Sequence, residues 1–244
     1  MKNFLAKNKT SDDATKKSRL NMGAIYAWPM GIWFVFFFII PLVIILVYSF
    51  MNKGVHGGVQ PGFTLKAYKQ MFDAKYLVIT LRTIKIALIS TVITIAVALP
   101  SAYAIARSKR QTFLLLLVII PFWTNSLIRI FAWMSILNND GILNQILMKL
   151  HIIKDYLHLL YNQKAVILVS VYMYIPYAIL PIFTAIDRFD FSLLEAARDL
   201  GATKTQAVFK ILLPGIKSGI VSALIFTFIP IFGAYTVPLL VGGK

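Results

Sequence analysis

Long hydrophobic runs alternate along the chain with short polar segments that carry most of the charge. Five runs occur, between residues 19 and 53, 85 and 107, 111 and 139, 164 and 187, and 217 and 244. A helix that crosses the hydrocarbon core needs about 20 apolar residues, and each run reaches that length. Each run is apolar around its whole circumference, as expected for a helix between lipid and protein. The pattern therefore predicts an all-α membrane protein, a polytopic helical bundle with five visible spans.

The composition indicates a bilayer rather than water as the solvent. Hydrophobic residues make up 59% of the 244 residues and charged residues 14%, against about 25% charged in a soluble domain. The formal net charge is +16, but the basic residues lie between the apolar runs, as topology signals do. They do not form the basic surface of a nucleic-acid-binding protein, so no nucleic-acid partner is expected. Their distribution predicts a multi-pass protein of the cell membrane, in contact with lipid, with its N-terminus in the cytoplasm.

The same pattern predicts a division of the chain. Residues 1–23 are expected to form a cytoplasmic basic tail and residues 24–50 the first transmembrane helix, which is too long for a cleaved signal peptide. Residues 51–76, with the sequence HGGVQPG, are typical of a turn-rich outer loop. Residues 77–244 would form the main transmembrane domain. Within it, residues 140–164 contain GILNQILMKLHII, which predicts a short amphipathic helix on the outer surface.

Residues that could support catalysis or hold a metal are sparse. The chain has no cysteine and three scattered histidines, so neither a metal site nor a cofactor is expected. A membrane-embedded enzyme would need a catalytic constellation at one depth, and none is visible. An ion-coupled secondary transporter would commonly show inverted repeats and intramembrane ionisable residues. Arg129 is the one charged residue inside a run, so both alternatives are disfavoured.

A polar segment between the fourth and fifth runs carries unusually clear helix signals. Ser192 and Glu195 have the spacing of a capping box, and Thr203 and Gln206 have the spacing of a second one. Gly201 lies where a helix end needs a left-handed residue. The segment is expected to form a helix, a glycine elbow and a second helix. The first helix has an apolar stripe formed by Leu193, Leu194, Ala197 and Leu200. A plain helical cover for the bundle and a docking element both fit this pattern.

A longer motif distinguishes the two. The motif comprises Glu195, Ala196, Ala197, Gly201, Ile211, Leu213 and Pro214. It resembles the cytoplasmic EAA loop of the membrane permeases of binding-protein-dependent ABC importers. The resemblance implies the type I importer permease fold, and it implies that residues 187–215 dock on a separate ATPase subunit. The residues expected to couple to that ATPase are Glu195, Ala196, Ala197, Gly201, Leu194, Leu200, Ile211 and Pro214. The chain has no phosphate-binding GxxxxGK[ST] loop, so a partner would hydrolyse ATP and this chain would not be an enzyme.

Two further stretches resemble the spermidine/putrescine permeases within this superfamily. They are PFWTNSLIRIFAWMSILNNDGILN, residues 121–144, and FIPIFGAYTVPLLVGGK, residues 228–244. The resemblance implies a prokaryotic importer with a second homologous permease subunit and an extracytoplasmic substrate-binding protein. A sixth span normally follows in this family, so a final span is expected to be missing from the sequence. Related permeases for thiamine, iron or opines share much of the pattern, and these cargoes stay open as alternatives.

A path for a polycation would use carboxylates and the faces of aromatic rings, which attract cations. No carboxylate lies inside a run, so aromatic residues are the main candidates. Each aromatic residue taken singly is more often a packing residue than a ligand. Arg129 would repel a cation and is expected to form a structural or gating pair, either within the chain or across the subunit interface. The residues expected to line the path are Trp123, Asn125, Arg129, Trp133, Tyr174, Tyr177 and Tyr235.

Overall fold

The computed structural model describes residues 26–54 and 58–242. The chain divides into two compact units, Met1–Leu77 and Val78–Lys244. The predicted basic tail, residues 1–23, lies outside the described residues. The architecture is mostly helical, as predicted, although a short pair of strands departs from an all-α fold.

The first unit begins with α1, Tyr26–Ser49, which contains a π-helical turn at Val35–Ile39. Its 24 residues are long and apolar enough to cross a membrane. Its large apolar side chains are exposed along the whole helix. A helix with apolar side chains on every face suits a lipid environment.

The prediction of a turn-rich loop over residues 51–76 is wrong in its details. Strands β1, Met51–Lys53, and β2, Val59–Phe63, form an antiparallel hairpin with an irregular register next to Met51. The short helix α2, Lys66–Met71, follows. Aromatic packing holds the hairpin to this helix, because the Phe50 ring lies 5.6 Å from that of Phe63 and 5.2 Å from that of Tyr68. Residues 55–57 lie outside the described residues.

The second hydrophobic run lies in α3, Ala74–Ala106, a helix of 33 residues. The helix begins well before the apolar run, so Arg82 and Lys85 are helical rather than part of a loop. Small and β-branched side chains recur every three or four positions on its buried face, which is formed by Ala87, Ser90, Thr91, Thr94, Ile95, Ala98, Ala102 and Ile105. Such a face allows neighbouring helices to approach closely.

The third run forms a bent pair of helices rather than one continuous helix. Helix α4, Gln111–Ile119, continues as a 3₁₀ turn over Ile120–Trp123 and then stops. Helix α5, Ser126–Leu137, begins after an extended break and is capped by the Asn125 side chain, which accepts from the Leu127 N–H at 2.8 Å. The stretch Gln111–Trp123 is bent by 92° against the stretch Ser126–Lys149. Pro121 has no N–H to donate, and the Asn125 cap begins a new helix in another direction.

The predicted amphipathic helix is present as α6, Ile142–Lys149. The fourth run forms α7, Gln163–Asp187, which contains Pro176 and Pro181 without ending at either. The fifth run begins as α10, Lys217–Gly233, ends at Ala234 and resumes as α11, Thr236–Val241. Two helices between α7 and α10, named α8 and α9, are described with the site.

Two apolar clusters hold the second unit together. One joins α3, α7 and α10 through residues that include Ala98, Ile182 and Ala223. The other joins α5, α7 and α11 through residues that include Ile130, Val169 and Val237. Within the described residues, α1, α3 and α7 are each long enough to cross a membrane. The count reaches five if two bent pairs are each taken as one span, namely Gln111–Trp123 with Ser126–Lys149 and Lys204–Gly215 with Lys217–Gly233.

Candidate functional site

The polar segment folds as a helix, an elbow and a second helix, as predicted, but its first cap is different. Helix α8, Ser192–Asp199, has no capping hydrogen bond from the Ser192 side chain. The Asp190 carboxylate instead accepts from the Ser192 N–H at 3.0 Å. The predicted capping box of Ser192 and Glu195 is therefore wrong. The helix starts one position earlier than that box requires, so Ser192 is its first residue rather than its cap.

The charge of Asp190 is favoured by this arrangement. Ser192, through its hydroxyl and then through its backbone N–H, holds the pKa of Asp190 below its usual value. A carboxylate that accepts hydrogen bonds is stabilised in its charged form. Negative charge is also favourable next to the N-terminus of a helix. Asp190 thus stays ionised at neutral pH and closes the start of α8.

The elbow has the geometry that the sequence predicts. Gly201 has φ +89°, a left-handed conformation that residues with a Cβ rarely adopt. The Gly201 N–H donates to Arg198 O at 2.9 Å, and the Ala202 N–H donates to Ala197 O at 3.0 Å. These two bonds form a Schellman motif, which satisfies carbonyls that the end of α8 would leave free.

The second helix, α9, Lys204–Gly215, begins with the predicted capping box. Gln206 N–H donates to Thr203 Oγ1 at 3.2 Å, and Thr203 N–H donates to Gln206 Oε1 at 2.9 Å. A π-helical turn occupies Val208–Leu212. Helix α9 meets α10 at a bend of 69°. The segment therefore continues directly into α10.

The apolar stripe of α8 is divided between two surroundings. Leu194 is half-buried against the chain's own apolar cluster, and Ala197 is half-buried as well. Leu200 is 90% exposed, and Leu193 is also exposed. Glu195, Ala196, Gly201 and Pro214 are exposed, and Ile211 is half-buried. The exposed members form a surface that a partner can reach, whereas Leu194 fixes the segment to its own bundle.

An aromatic anchor at the base of this segment was not predicted. Phe189 and Phe191 pack edge to face with ring centres 5.6 Å apart. The Phe189 ring also covers Gly215, where any side chain would collide with it. The Arg107 guanidinium lies 4.7 Å from the centre of the Phe191 ring. The closely spaced phenylalanines were the available sequence signal, but their partners lie far away in the chain.

The predicted path residues fall into two groups. Trp123 and Tyr235 are 83% and 76% exposed, and they lie at the breaks before α5 and α11. Tyr177 is exposed too. Trp133 and Tyr174 are half-buried. Trp133 packs edge to face on Tyr172 at 5.3 Å.

Tyr174 and Tyr177 bring two predicted path residues together, with ring centres 5.8 Å apart. The Tyr174 hydroxyl donates to Pro230 O at 3.4 Å, which joins α7 to α10. Asn125 serves as the helix cap described above. Of the predicted set, Trp133, Tyr174 and Asn125 therefore have packing or capping contacts within the chain.

Arg129 lies on the buried side of α5, one turn after the break. Its guanidinium carbon is 4.5 Å from the centre of the Phe122 ring. Its Nε and Nη1 atoms are buried and make no hydrogen bond within the part of the chain that the structure describes. A buried charged donor is costly unless it finds an acceptor. The predicted partner of Arg129 is thus not found among these residues, and a pair across the subunit interface stays a prediction.

Asn144 is a second feature that the sequence did not reveal. Its side chain is fully buried and donates to Asn139 O at 3.1 Å and to Leu157 O at 3.0 Å. Its Oδ1 accepts from the Leu157 N–H at 3.1 Å. Asn144 therefore ties α6 to the loop that follows it. Residues 26–54 and 58–242 contain no group of three His, Cys, Asp or Glu side chains that could hold a metal ion.

The described residues thus form a mostly helical membrane protein with three to five candidate spans and a capped polar elbow between α7 and α10. The family model described as "Binding-protein-dependent transport system inner membrane component" matches residues 81–244. This chain belongs to that family. It is a permease subunit of an ABC importer, a multi-pass protein of the inner membrane, and not itself an enzyme.

Curated relatives agree with this assignment. The spermidine/putrescine transport system permease protein PotB of Salmonella typhimurium (strain SL1344) is 36% identical over 213 residues, covering 86% of this chain and 74% of that protein. PotB of Escherichia coli (strain K12) is 35% identical over 213 residues, covering 86% and 78%. The inner membrane ABC transporter permease protein YdcU of Escherichia coli (strain K12) is 32% identical over 199 residues, covering 75% and 63%.

Solved structures show the same fold. A crystal structure of a bacterial ABC transporter that imports the acidic polysaccharide alginate matches with a TM-score of 0.63 and 20% identity, over 88% of this chain and 77% of that chain. The alginate transporter in complex with a pentasaccharide-bound periplasmic protein also matches with a TM-score of 0.63, at 18% identity over 87% and 73%. The predicted ABC importer permease fold is confirmed.

Proposed function

We propose that this chain is one of two homologous permease subunits of a polyamine importer, with its N-terminus in the cytoplasm. An extracytoplasmic binding protein delivers spermidine or putrescine, and a separate ATPase supplies the energy. Relatives named as spermidine/putrescine permeases, at 35–36% identity over 86% of the chain, support this cargo. Thiamine, iron and opines are the competing cargoes.

The observation that carries the coupling role is the rigid elbow between α8 and α9. A Schellman motif, a capping box and the Asp190 cap fix its geometry. Its inner side is packed on the bundle through Leu194, and its outer side presents Leu200 and Glu195. A capped element that is packed on one side can transmit a displacement, whereas a flexible loop would absorb it. The segment is therefore suited to convert movement of an ATPase into movement of α10.

The two broken spans support a translocation path. The backbone is extended at Thr124, Asn125 and Ala234. Non-helical backbone at membrane depth is tolerated where it is buried in protein or lines a water-filled cavity, but not against lipid. Trp123 and Tyr235 lie at these breaks with exposed rings. Such rings can bind the ammonium groups of a polyamine by cation–π attraction.

Arg129 has a different role in this proposal. Its stacking on Phe122 fixes the guanidinium, and its buried Nε and Nη1 atoms are oriented donors. Their N–H groups point in different directions, so a separate acceptor of the second permease subunit, such as a carboxylate oxygen, would satisfy each of them. Arg129 would then hold the subunits in register and would not contact the cationic cargo.

Transport by the complete importer in proteoliposomes tests this proposal. ATP-dependent uptake of radiolabelled spermidine is expected, with thiamine uptake at background. Liposomes that lack the ATPase should show no uptake, which distinguishes an ABC importer from an ion-coupled carrier. Thiamine uptake without spermidine uptake would contradict the cargo. Spermidine uptake without the ATPase would contradict the coupling.

A further inference from the structure

A basic hollow lies at the end of α3, beside residues 187–215, the segment to which the proposed function assigns coupling and which is called the coupling segment below. Its volume is about 290 Å³, and it is lined by Tyr103, Arg107, Phe191, Leu194, Glu195, Arg198, Lys204, Ala207 and Val208. We refer to it as the basic hollow. Its lining carries three cations and one carboxylate, so it has an excess of positive charge. The coupling role assigned to the segment does not use this charge.

The cations are brought together from different elements. Arg107 follows the last residue of α3, Arg198 lies on α8, and Lys204 is the first residue of α9. The left-handed turn at Gly201 reverses the chain between the latter two. The sequence separation of Arg107 from the others exceeds 90 residues, so only the fold creates this grouping.

Arg107 is held in place before any ligand binds. Its guanidinium lies over the Phe191 ring, and that ring packs edge to face on Tyr103, with centres 6.4 Å apart. A planar guanidinium stacked in this way keeps its edges free to donate hydrogen bonds. Arginine forks match the geometry of phosphate oxygens. The hollow is therefore organised for a phosphate group.

The walls of the hollow favour a phosphate that carries an apolar body. Leu194 and Val208 are half-buried against the main apolar cluster, and Ala207 is buried. Tyr103 lies in the last turn of α3, which is long and apolar enough to cross a membrane. The ends of such helices lie at the level of lipid headgroups, where tyrosine is enriched. Basic pockets next to membrane helices bind anionic lipid headgroups.

A neighbouring hollow provides an internal comparison. It is lined by Glu195, Arg198, Asp199, Ala202, Thr203 and Lys204. Its two carboxylates balance its two cations, and it lacks Arg107 and the aromatic wall. The excess of positive charge is therefore a property of the side that faces the end of α3.

We propose that the basic hollow binds the phosphate headgroup of an anionic phospholipid. Arg107 and Lys204 hold the phosphate oxygens, and the glycerol and upper acyl carbons lie against Leu194 and Val208. Binding there would tie the coupling segment to the membrane surface at the position where it joins the bundle. The proposal depends on neither the cargo nor the orientation of the chain.

Retention of lipid by the purified complete importer tests the site. The importer is placed in phosphatidylcholine nanodiscs with increasing phosphatidylglycerol, and bound phosphatidylglycerol is measured by native mass spectrometry. Each basic residue near an anionic surface contributes about a fivefold change in affinity. Arg107→Gln and Lys204→Gln should each weaken retention by about that factor. Lys210→Gln and Lys217→Gln remove exposed cations outside the hollow and should retain phosphatidylglycerol as the parent protein does.

Four results would overturn the proposal. The first is unchanged retention in Arg107→Gln and Lys204→Gln with normal thermal stability. The second is an equal loss in the two control variants, which would indicate general surface attraction. The third is loss of the ATPase from Arg107→Gln at unchanged lipid retention, which would assign the hollow to a protein contact. Inorganic phosphate at millimolar concentration should displace little phosphatidylglycerol, because it lacks the apolar body, and full displacement would indicate a site for free phosphate.

Discussion

Asp190 and Glu195 have opposite relationships to the start of α8. Glu195 has the sequence position of a capping residue, but Asp190 makes the hydrogen bond to the Ser192 N–H. Glu195 is exposed and is free to contact a partner. The two carboxylates can therefore be separated experimentally, because Asp190 accepts the capping hydrogen bond, whereas Glu195 acts on the first turn through its charge alone.

Asp190→Ala should reduce hydrogen-exchange protection of the first amides of α8, whereas Glu195→Ala should leave it unchanged. The pKa of Asp190 is held below its usual value, so its capping contribution is complete above the ordinary Asp pKa of about 3.9 and is lost as pH falls through the lower folded-state value. Exchange in the parent protein should follow that pH dependence. Asp190→Asn, which keeps a hydrogen-bond acceptor, is the matched control. Reduced protection in Glu195→Ala would instead support a capping box formed by Ser192 and Glu195.

Gly201→Val should leave the spans inserted and weaken attachment of the ATPase or uncouple hydrolysis from uptake. No atom lies within 4 Å of a Cβ at this position, so the cost arises from the backbone alone. A left-handed residue with a Cβ costs about 1–2 kcal/mol. Gly201→Asn should be milder, because asparagine tolerates this conformation. Permease abundance, bound ATPase and substrate-stimulated hydrolysis are the measurements, and normal values for Gly201→Val would show that the elbow is only a cover.

At the scale of elements, the close crossing of α7 and α10 depends on a glycine, Gly219, which has no side chain at the contact. A Cβ on Gly219 would collide with the Ala185 side chain and would lie 2.9 Å from Pro181 O. Pro181 O is a backbone atom, so it can move away only if the helix itself moves. Small residues at such crossings allow membrane helices to pack closely. Helices α8 and α9 connect these two helices along the chain, so the spacing of α7 and α10 determines how α8 and α9 are held.

Gly219→Ala should lower the melting temperature of the detergent-solubilised protein, because overpacking a helix crossing costs about 1–3 kcal/mol. Gly233→Ala is the matched control. Gly233 is a residue of the same helix, and its added Cβ would meet no atom within 4 Å. Thermal unfolding measured on both variants should separate them clearly. An equal melting temperature for the two would show that α7 and α10 can move apart at no cost.

At the scale of the whole molecule, two broken spans place exposed aromatic residues where the backbone leaves the helix. The third run breaks after Trp123 and the fifth at Tyr235. Trp133, by contrast, packs on Tyr172 inside the bundle. Truncating Trp133 would therefore test stability together with transport, whereas the residues at the breaks test transport more directly.

Trp123→Ala and Tyr235→Ala should each reduce spermidine uptake without loss of the assembled complex. A cation–π contact contributes about 0.5–2 kcal/mol, which corresponds to a fall of about twofold to thirtyfold in affinity. Leu239→Ala removes another exposed apolar side chain of α11 and should leave uptake near the parent value. Concentration-dependent uptake in proteoliposomes is the measurement. An unchanged half-saturating concentration in both aromatic variants would remove these residues from the path.

Features set by neighbouring residues could be predicted from the sequence alone. The hydrophobic runs, the amphipathic α6, the capping box of Thr203 and Gln206, and the left-handed Gly201 all follow from spacing within a few residues. The EAA pattern is equally local and was sufficient to place the chain in its family, although the roles of its residues in coupling stay predictions.

The tertiary structure decided the features that depend on distant partners. The bend of 92° in the third run and the division of the α8 stripe into a packed and an exposed part depend on how the bundle fills its volume. Arg107 meets Phe191 across more than 80 residues, and Asn144 meets Leu157 across a loop. The Asp190 cap shows the same limit at short range. Both Ser192 and Asp190 could cap the start of α8 by sequence, and the structure has the Asp190 cap. Phe189 and Phe191, on either side of Asp190, pack edge to face there. Hydrophobic periodicity predicts which residues are removed from water, but it does not predict which residues they contact.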